Sequence, residues 1–240
     1  MATWIVHLRI AENLLAHIPA LDAAQFAIGN VAPDSGLPDE KWEKFEPPPK
    51  VTHFKRSDSV HKDLADLDFY RGYLALVSPQ DVLRFSFRLG YFFHLITDNL
   101  WSDLVGKPTM EKYAEQFAAN KDFIWEVKED WYGHDHLYIR SHPDCLFWRV
   151  LLNAEPVEMD LDFLPLSALL HQLNHIKTYY QRRDAEVEKM CSRPMIYLSA
   201  DRMDAFVLEA THRIQRIYHA LWPVPPVLDD RHTSLDFSDS

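Results

Sequence analysis

The sequence predicts an all-α fold: a single multi-helix domain around a buried central helix that carries His94 and Asp98. Three observations predict it. Alternating strand patterns are scarce, while amphipathic stretches at helical spacing are frequent. Ser78-Pro79-Gln80-Asp81 joins a cap residue, a proline suited to the first helical position and an acid for the first turn. The segment that follows, FSFRLGYFFHLITDNLW, is apolar almost all round, which marks a helix buried on every side.

The elements follow in order. Thr3 is placed to cap a helix over residues 4–16, and Asp22 one over about 23–30 that ends at Gly29-Asn30. Ala32-Pro33-Asp34-Ser35-Gly36 is a turn by composition. Residues 36–52, rich in Pro and charge, read as a long irregular loop, and such loops are usually functional. Ser57 or Asp58 opens a helix to about 76, and the central helix reaches Trp101. Thr109 starts a long helical stretch with a break expected near Gly133. Two amphipathic helices run from Ser167 to Arg183 and from Ser199 to Leu221, and Trp222-Pro223-Val224-Pro225-Pro226 stops the last. Residues 1–225 form the domain, and 226–240 a polar C-terminal tail expected to fray.

Composition bounds the function. Of the 240 residues, 47% are hydrophobic, enough for a sizeable core. The net charge of −11 argues against a nucleic-acid partner or an anionic membrane surface. Cys145 and Cys191 make no disulfide framework and read as reduced core thiols. Neither a signal peptide nor a membrane-spanning run is recognised, so a cytoplasmic location is expected. The chain holds 13 His, an excess that suggests metal.

His94 and Asp98, at i and i+4, project from one face of the central helix. Among Phe, Leu and Ile they need partners, either a metal or, for Asp98, an Arg or His94 itself, because an unpaired buried charge is costly. Asp34 alone reads as a turn acid, His53 as a loop residue and His7 as a core histidine. As a set they read differently. His7 in WIVHLRIAENLL, Asp34 in FAIGNVAPD, His53 in THF, and His94 with Asp98 in LGYFFHLITDNLW resemble the zinc-dependent phospholipase C family. Its wider superfamily includes zinc-dependent single-strand nucleases. The resemblance covers about the first 105 residues.

It implies that His7, Asp34, His53, His94 and Asp98 bind zinc: two ions are expected, within a range of one to three. It further implies that Asp98 bridges two ions, that Asp34 also serves as general base, and that the chemistry is phosphodiester hydrolysis by a metal-activated water. The expected partner is a small phosphoester or a phospholipid headgroup. Two departures stand out. Trp4 is preceded by three residues, where secreted relatives begin at a tryptophan whose amine binds metal. Leu104 stands where the family has a further histidine.

His134 and His136 are candidate replacement ligands at the expected Gly133 break. The pairs His171/His175 and His212/His219 read as surface or packing residues. Trp101, Trp125, Trp131 and Tyr132 read as core rather than as a choline cage. The alternatives to a zinc phosphoesterase are a non-catalytic metal-binding helical protein with a structural or repurposed site, and a phosphohydrolase resembling the HD family built on His134-Asp135.

Overall fold

The computed structural model describes residues 1–41, 43–56, 63–157, 159–222 and 227–238. Its regular elements among the described residues are helices, apart from one two-stranded antiparallel ribbon, β1 (Leu37–Pro38) with β2 (Phe45–Glu46). The helices are α1 (Trp4–Leu15), α2 (Ala23–Gly29), α3 (Pro49–Thr52), α4 (Asp66–Phe69), α5 (Val82–Trp101), α6 (Lys107–Lys112), α7 (Ala114–Ala119), α8 (Phe123–Ser141), α9 (Leu146–Arg149), α10 (Leu166–Gln181), α11 (Ala185–Ser192) and α12 (Ala200–Leu221). The all-α reading is borne out.

The central helix is α5, and every residue from Phe85 to Trp101 is buried. Asp81 caps it, its side chain accepting from the Arg84 amide at 3.4 Å. Pro79 falls before the helix, so the start signal acts through Asp81 rather than through a proline inside the first turn. Beyond Trp101 the chain does not stop. It passes through one π-helical turn, Ser102–Gly106, directly into α6.

The closest helix pair is α2 against α5, and two glycines permit it. A Cβ on Gly29 would lie 2.1 Å from the Phe87 carbonyl oxygen, and one on Gly90 2.4 Å from the Phe26 carbonyl oxygen. With no side chain at either crossing point the two backbones touch, which fixes their register at close-packed density. α1 and α12 pack together and α12 also reaches α5, so the central helix is enclosed on all sides.

Several expectations need correction. The helix expected from Ser57 or Asp58 has its proposed start outside the described residues; the helical part begins at Asp66 and turns π-helical over Tyr70–Leu74. The 36–52 loop contains the ribbon and α3. There is no break at Gly133, because α8 runs on to Ser141. The glycine is a contact point: a Cβ there would meet Met195 Cε at 2.7 Å and the Met190 carbonyl oxygen at 3.2 Å. The expected cap at Thr3 makes no side-chain bond to its own helix, and its hydroxyl donates to Asp135 Oδ1 at 2.7 Å instead. Trp125 is 60% exposed and is no core residue.

The tail, expected to fray, packs against the body. Asp66, fully buried, accepts from the Ser234 amide (2.7 Å), Thr233 Oγ1 (3.0 Å) and Asn99 Nδ2 (3.0 Å). The His232 carbonyl accepts from the Leu67 amide at 3.0 Å, and Arg71 reaches the carbonyls of Asp229 and Arg231. Pro223–Pro226, proposed as the stop of the last helix, lie outside the described residues.

Candidate metal centre

The five residues singled out from the sequence come from five different places: α1, the 3-10 turn Ala32–Asp34, the end of α3, and two positions a turn apart on α5. The fold brings them to one point. Asp98 Oδ1 lies 3.6 Å from His7 Nε2, and Asp98 Oδ2 lies 3.6 Å from His94 Nε2 and 3.7 Å from His53 Nε2. His53 Nε2 is 3.2 Å from Asp34 Oδ1. The rings of His7 and His94 stack with centroids 3.8 Å apart, tilted by 5°. His7, His94 and Asp98 are fully buried, and His53 nearly so.

The orientation of each imidazole follows from its neighbours. His94 Nδ1 donates to the Asn30 carbonyl at 2.8 Å. That carbonyl is in place because Gly29 and Gly90 let α2 and α5 meet, and because the Asn30 side chain is itself held on the Phe26 carbonyl at 3.0 Å. A neutral His94 with its proton on Nδ1 must present the Nε2 lone pair to Asp98. His53 Nδ1 sits 3.1 Å from the Pro49 carbonyl, which likewise turns Nε2 inward. Second-shell bonds of this kind fix tautomer and ring direction at metal sites.

The electrostatics agree with a cation at the centre. Burial, followed by the neighbouring His94, lowers the His7 pKa to about 4, against the pull of Asp98. His7 is therefore neutral at pH 7 with a lone pair to offer. Burial pushes Asp34 up, yet the His53 hydrogen bond and the His94 and His53 charges outweigh it and hold Asp34 well below the usual carboxylate range. Among the described residues neither ring nitrogen of His7, nor His94 Nε2, has a hydrogen-bond partner within 3.5 Å, although all are buried. Lone pairs facing carboxylate oxygens at such distances in a dry interior are unfavourable unless a cation lies between them. Two sets of ligand atoms lie close enough to share one ion, His7 with His94 and Asp98, and Asp34 with His53 and His94. Nitrogen and carboxylate donors in these numbers suit a divalent metal such as zinc.

Residues 6–103 match the family model of zinc dependent phospholipase C. The resemblance read from the sequence is thus borne out over that stretch, which contains all five residues. No curated protein and no solved structure matches the chain.

The replacement ligands do not join this cluster. His134 Nε2 donates to the Leu198 carbonyl at 2.7 Å, and His136 is buried against Tyr179 and Tyr180, with ring centroids 5.3 Å away in each case. Among the described residues neither belongs to a group of atoms able to share an ion. Asp135, the acid of the HD-like dipeptide, is bound to Thr3 Oγ1 and the Tyr180 hydroxyl. Burial raises it to about 7 in spite of those bonds.

Other residues also reach the site. Trp4 Nε1 donates to Asp34 Oδ2 at 2.8 Å, and the Ala2 amide to Asp98 Oδ1 at 2.8 Å. A cavity of about 240 Å³ adjoins the cluster at Asp34 and His53, and Trp4, Phe45, Lys128, Trp131, Tyr132, Gln172 and His175 line its other walls. Trp131 and Tyr132, read as core, thus face the cavity, and so does His175, read as a surface or packing residue. Among the described residues no helix is long and apolar enough to cross a membrane.

Proposed function

We propose that this protein is a zinc-dependent phosphoesterase that hydrolyses a phosphodiester, either a small soluble one or a phospholipid headgroup ester. The observation that supports this best is the set of inward-facing imidazole and carboxylate donors of His7, Asp34, His53, His94 and Asp98, opening on one side to a cavity of small-molecule size. His7, His94 and Asp98 would hold one ion, Asp34 and His53 a second, with Asp98 placed near both sets. Bound zinc would polarise the phosphoryl oxygens and bring the pKa of a water towards ~7.

The chain's own groups supply the rest. Asp34 is ionised throughout the neutral range and takes the proton of the attacking water, while Trp4 and His53 fix its two oxygens. The water oxygen bonds to phosphorus, the ester P–O bond breaks, and the proton taken up by Asp34 passes to the leaving oxygen, which restores the carboxylate. Burial of His7, His94 and Asp98 keeps bulk water from the metal face of the site.

The test is metal content and turnover together. Purified protein should retain at least one zinc, and two after loading, and should cleave a chromogenic phosphodiester in a reaction stopped by chelator and restored by zinc. Metal-loaded protein with no activity on diesters or monoesters across pH 6–9 would replace this reading with a non-catalytic metal-binding protein.

A further inference from the structure

Among the described residues, three polar side chains on the cavity wall make no hydrogen bond: Ser35, Tyr132 and Gln172. Gln172 on α10 and Ser35, directly after the 3-10 turn of Asp34, are more than nine-tenths buried, at 8% and 3% exposure. Tyr132 on α8 is partly buried. They come from separate elements, and α10 packs against both β1 and the 3-10 turn, which sets Gln172 beside the Asp34 edge of the cavity. All three are neutral and can both donate and accept. Burial pushes the Tyr132 phenol further above its ordinary range, so it keeps its proton. The metal cluster uses none of them. Polar groups withdrawn from water without a partner are costly, and several converging on one cavity mark the place of a ligand that pairs them.

We infer that the cavity seats a phosphoester whose alcohol portion is an uncharged polyol, and that Gln172 reads its hydroxyls. This rests on the phosphoesterase reading above. The other walls include the rings of Trp4 and Trp131. A polyol suits both kinds of wall, with C–H faces for the rings and hydroxyls for the amide. A quaternary ammonium alcohol would also be attracted by the rings, but it can neither donate nor accept, and would leave the three polar groups unpaired. A site built around unpaired hydrogen-bonding groups rejects an analogue that lacks the hydroxyl more strongly than an apolar pocket rejects one that is merely smaller. A second cleft of about 250 Å³ continues from the first at Trp131 as an outer trough, walled further by Trp101, Lys107, Met110, Phe117 and Ile124. It leaves room for the remainder of the ester, whether a second small alcohol or the start of a lipid.

Three p-nitrophenyl phosphodiesters with the same leaving group, carrying glycerol, propanol or choline, isolate the hydroxyls. Zinc-loaded protein should prefer the glyceryl diester to the propyl diester by about thirtyfold in kcat/KM, with the choline diester no better than propyl. Gln172→Met, of similar shape, should bring the three within about threefold, and Tyr132→Phe should narrow the preference to about tenfold. A merely structural glutamine would lower all three substrates together and keep their ratios. That result, or a wild-type preference for propyl or choline, overturns the inference. Should Gln172→Met fail to retain zinc, Tyr132→Phe decides by the same ratio. Vesicles of phosphatidylglycerol and of phosphatidylcholine then identify the source of the polyol. Turnover of the former assigns a lipid headgroup, turnover confined to the soluble esters assigns a small metabolite, and preference for phosphatidylcholine again overturns the inference. If no diester is cleaved at all, the phosphoesterase reading fails by itself. Calorimetric binding of glycerol 3-phosphate and of propyl phosphate to the protein as purified then decides about Gln172. Binding of the former about tenfold tighter, with the difference lost in Gln172→Met, sustains its role; equal affinities, or no binding of either, end it.

Discussion

Two fully buried carboxylates, Asp98 on α5 and Asp66 on α4, have opposite surroundings. Asp66 is ringed by donors of the protein itself: Asn99 Nδ2, Thr233 Oγ1 and the Ser234 amide, all at 2.7–3.0 Å. Asp98 accepts from the Ala2 amide at 2.8 Å and is faced by the imidazole nitrogens of His7, His53 and His94 at 3.6–3.7 Å. A buried acid that the fold satisfies is part of the architecture. One that the fold surrounds with lone pairs is a place for a cation. Burial alone does not separate the two, but the chemistry and distance of the partners do.

The comparison is broken most forcefully by removing the centre. Asp98→Ala should abolish zinc retention and lower turnover of a chromogenic phosphodiester by about a thousandfold or more. Stripping zinc from the wild type with chelator should cost about 4 kcal/mol, equivalent to about 10 °C in Tm for a chain of this size. In Asp98→Ala the chelator should shift Tm far less, since the orphaned charge leaves with the metal. Full zinc occupancy in Asp98→Ala would place the ions elsewhere.

Next comes the link between packing and site. Gly29→Ala places a methyl 2.1 Å from the Phe87 carbonyl oxygen, a backbone atom that moves only if α2 or α5 moves. The variant should lose about 3 kcal/mol in urea unfolding. It should also bind zinc more weakly, because the same shift takes the Asn30 carbonyl away from His94. A variant that loses stability but keeps wild-type zinc affinity would uncouple the helix contact from the metal centre.

Asp66 supplies the contrasting pH behaviour. Burial raises it from 3.8 to about 6, against the hydrogen bonds from Ser234, Thr233 and Asn99, which act to lower it. For an acid raised on folding, the stabilising contribution is fully present below the unfolded value and is lost as pH rises through the folded one. Between pH 4 and 6 the wild type should therefore lose up to about 3 kcal/mol that Asp66→Asn does not. The unfolding free energies of the two proteins, measured from pH 4 to 7, should diverge in that window only, and zinc content should be the same in both. Parallel curves would mean that Asp66 ionises in the folded protein as it does unfolded.

The smallest effect belongs to His171. It is partly buried on α10 and belongs to neither group of shared ligand atoms. His171→Ala should leave zinc per chain unchanged, and a loss of metal there would move the centre to a different helix.

Much of this was legible in the sequence. The central helix declared itself through an uninterrupted apolar run, and the spacing of His94 and Asp98 put both on one face. His7, Asp34 and His53 were individually unremarkable, and only their order and local context, as a family resemblance, grouped them. What could not be read was contact between distant segments. Gly133 looked like a break because glycine weakens a helix, but here its missing side chain admits Met190 and Met195. Gly29 and Gly90 gave no hint of being opposite each other. The tail looked free because its residues are polar, yet those polar groups are what Asp66 needs. Lys128 and His175 lie on helices outside the matched stretch and reach the cavity only through tertiary packing.

The π-helical turn Ser102–Gly106 has a consequence for how the two halves of the site can vary independently. Such a turn holds one more residue than the α-helical turn it replaces. Deleting one residue within 102–106 would let α5 run straight into α6 as a regular helix, rotating everything beyond by roughly 100° and drawing it in by about 1.5 Å. Asp98 and His94 lie upstream and would stay in place, while Lys107 and Met110, which wall the second cleft, would swing to another face. A single insertion or deletion at this joint could therefore redraw the outer trough in one step, with no substitution among the metal-facing residues.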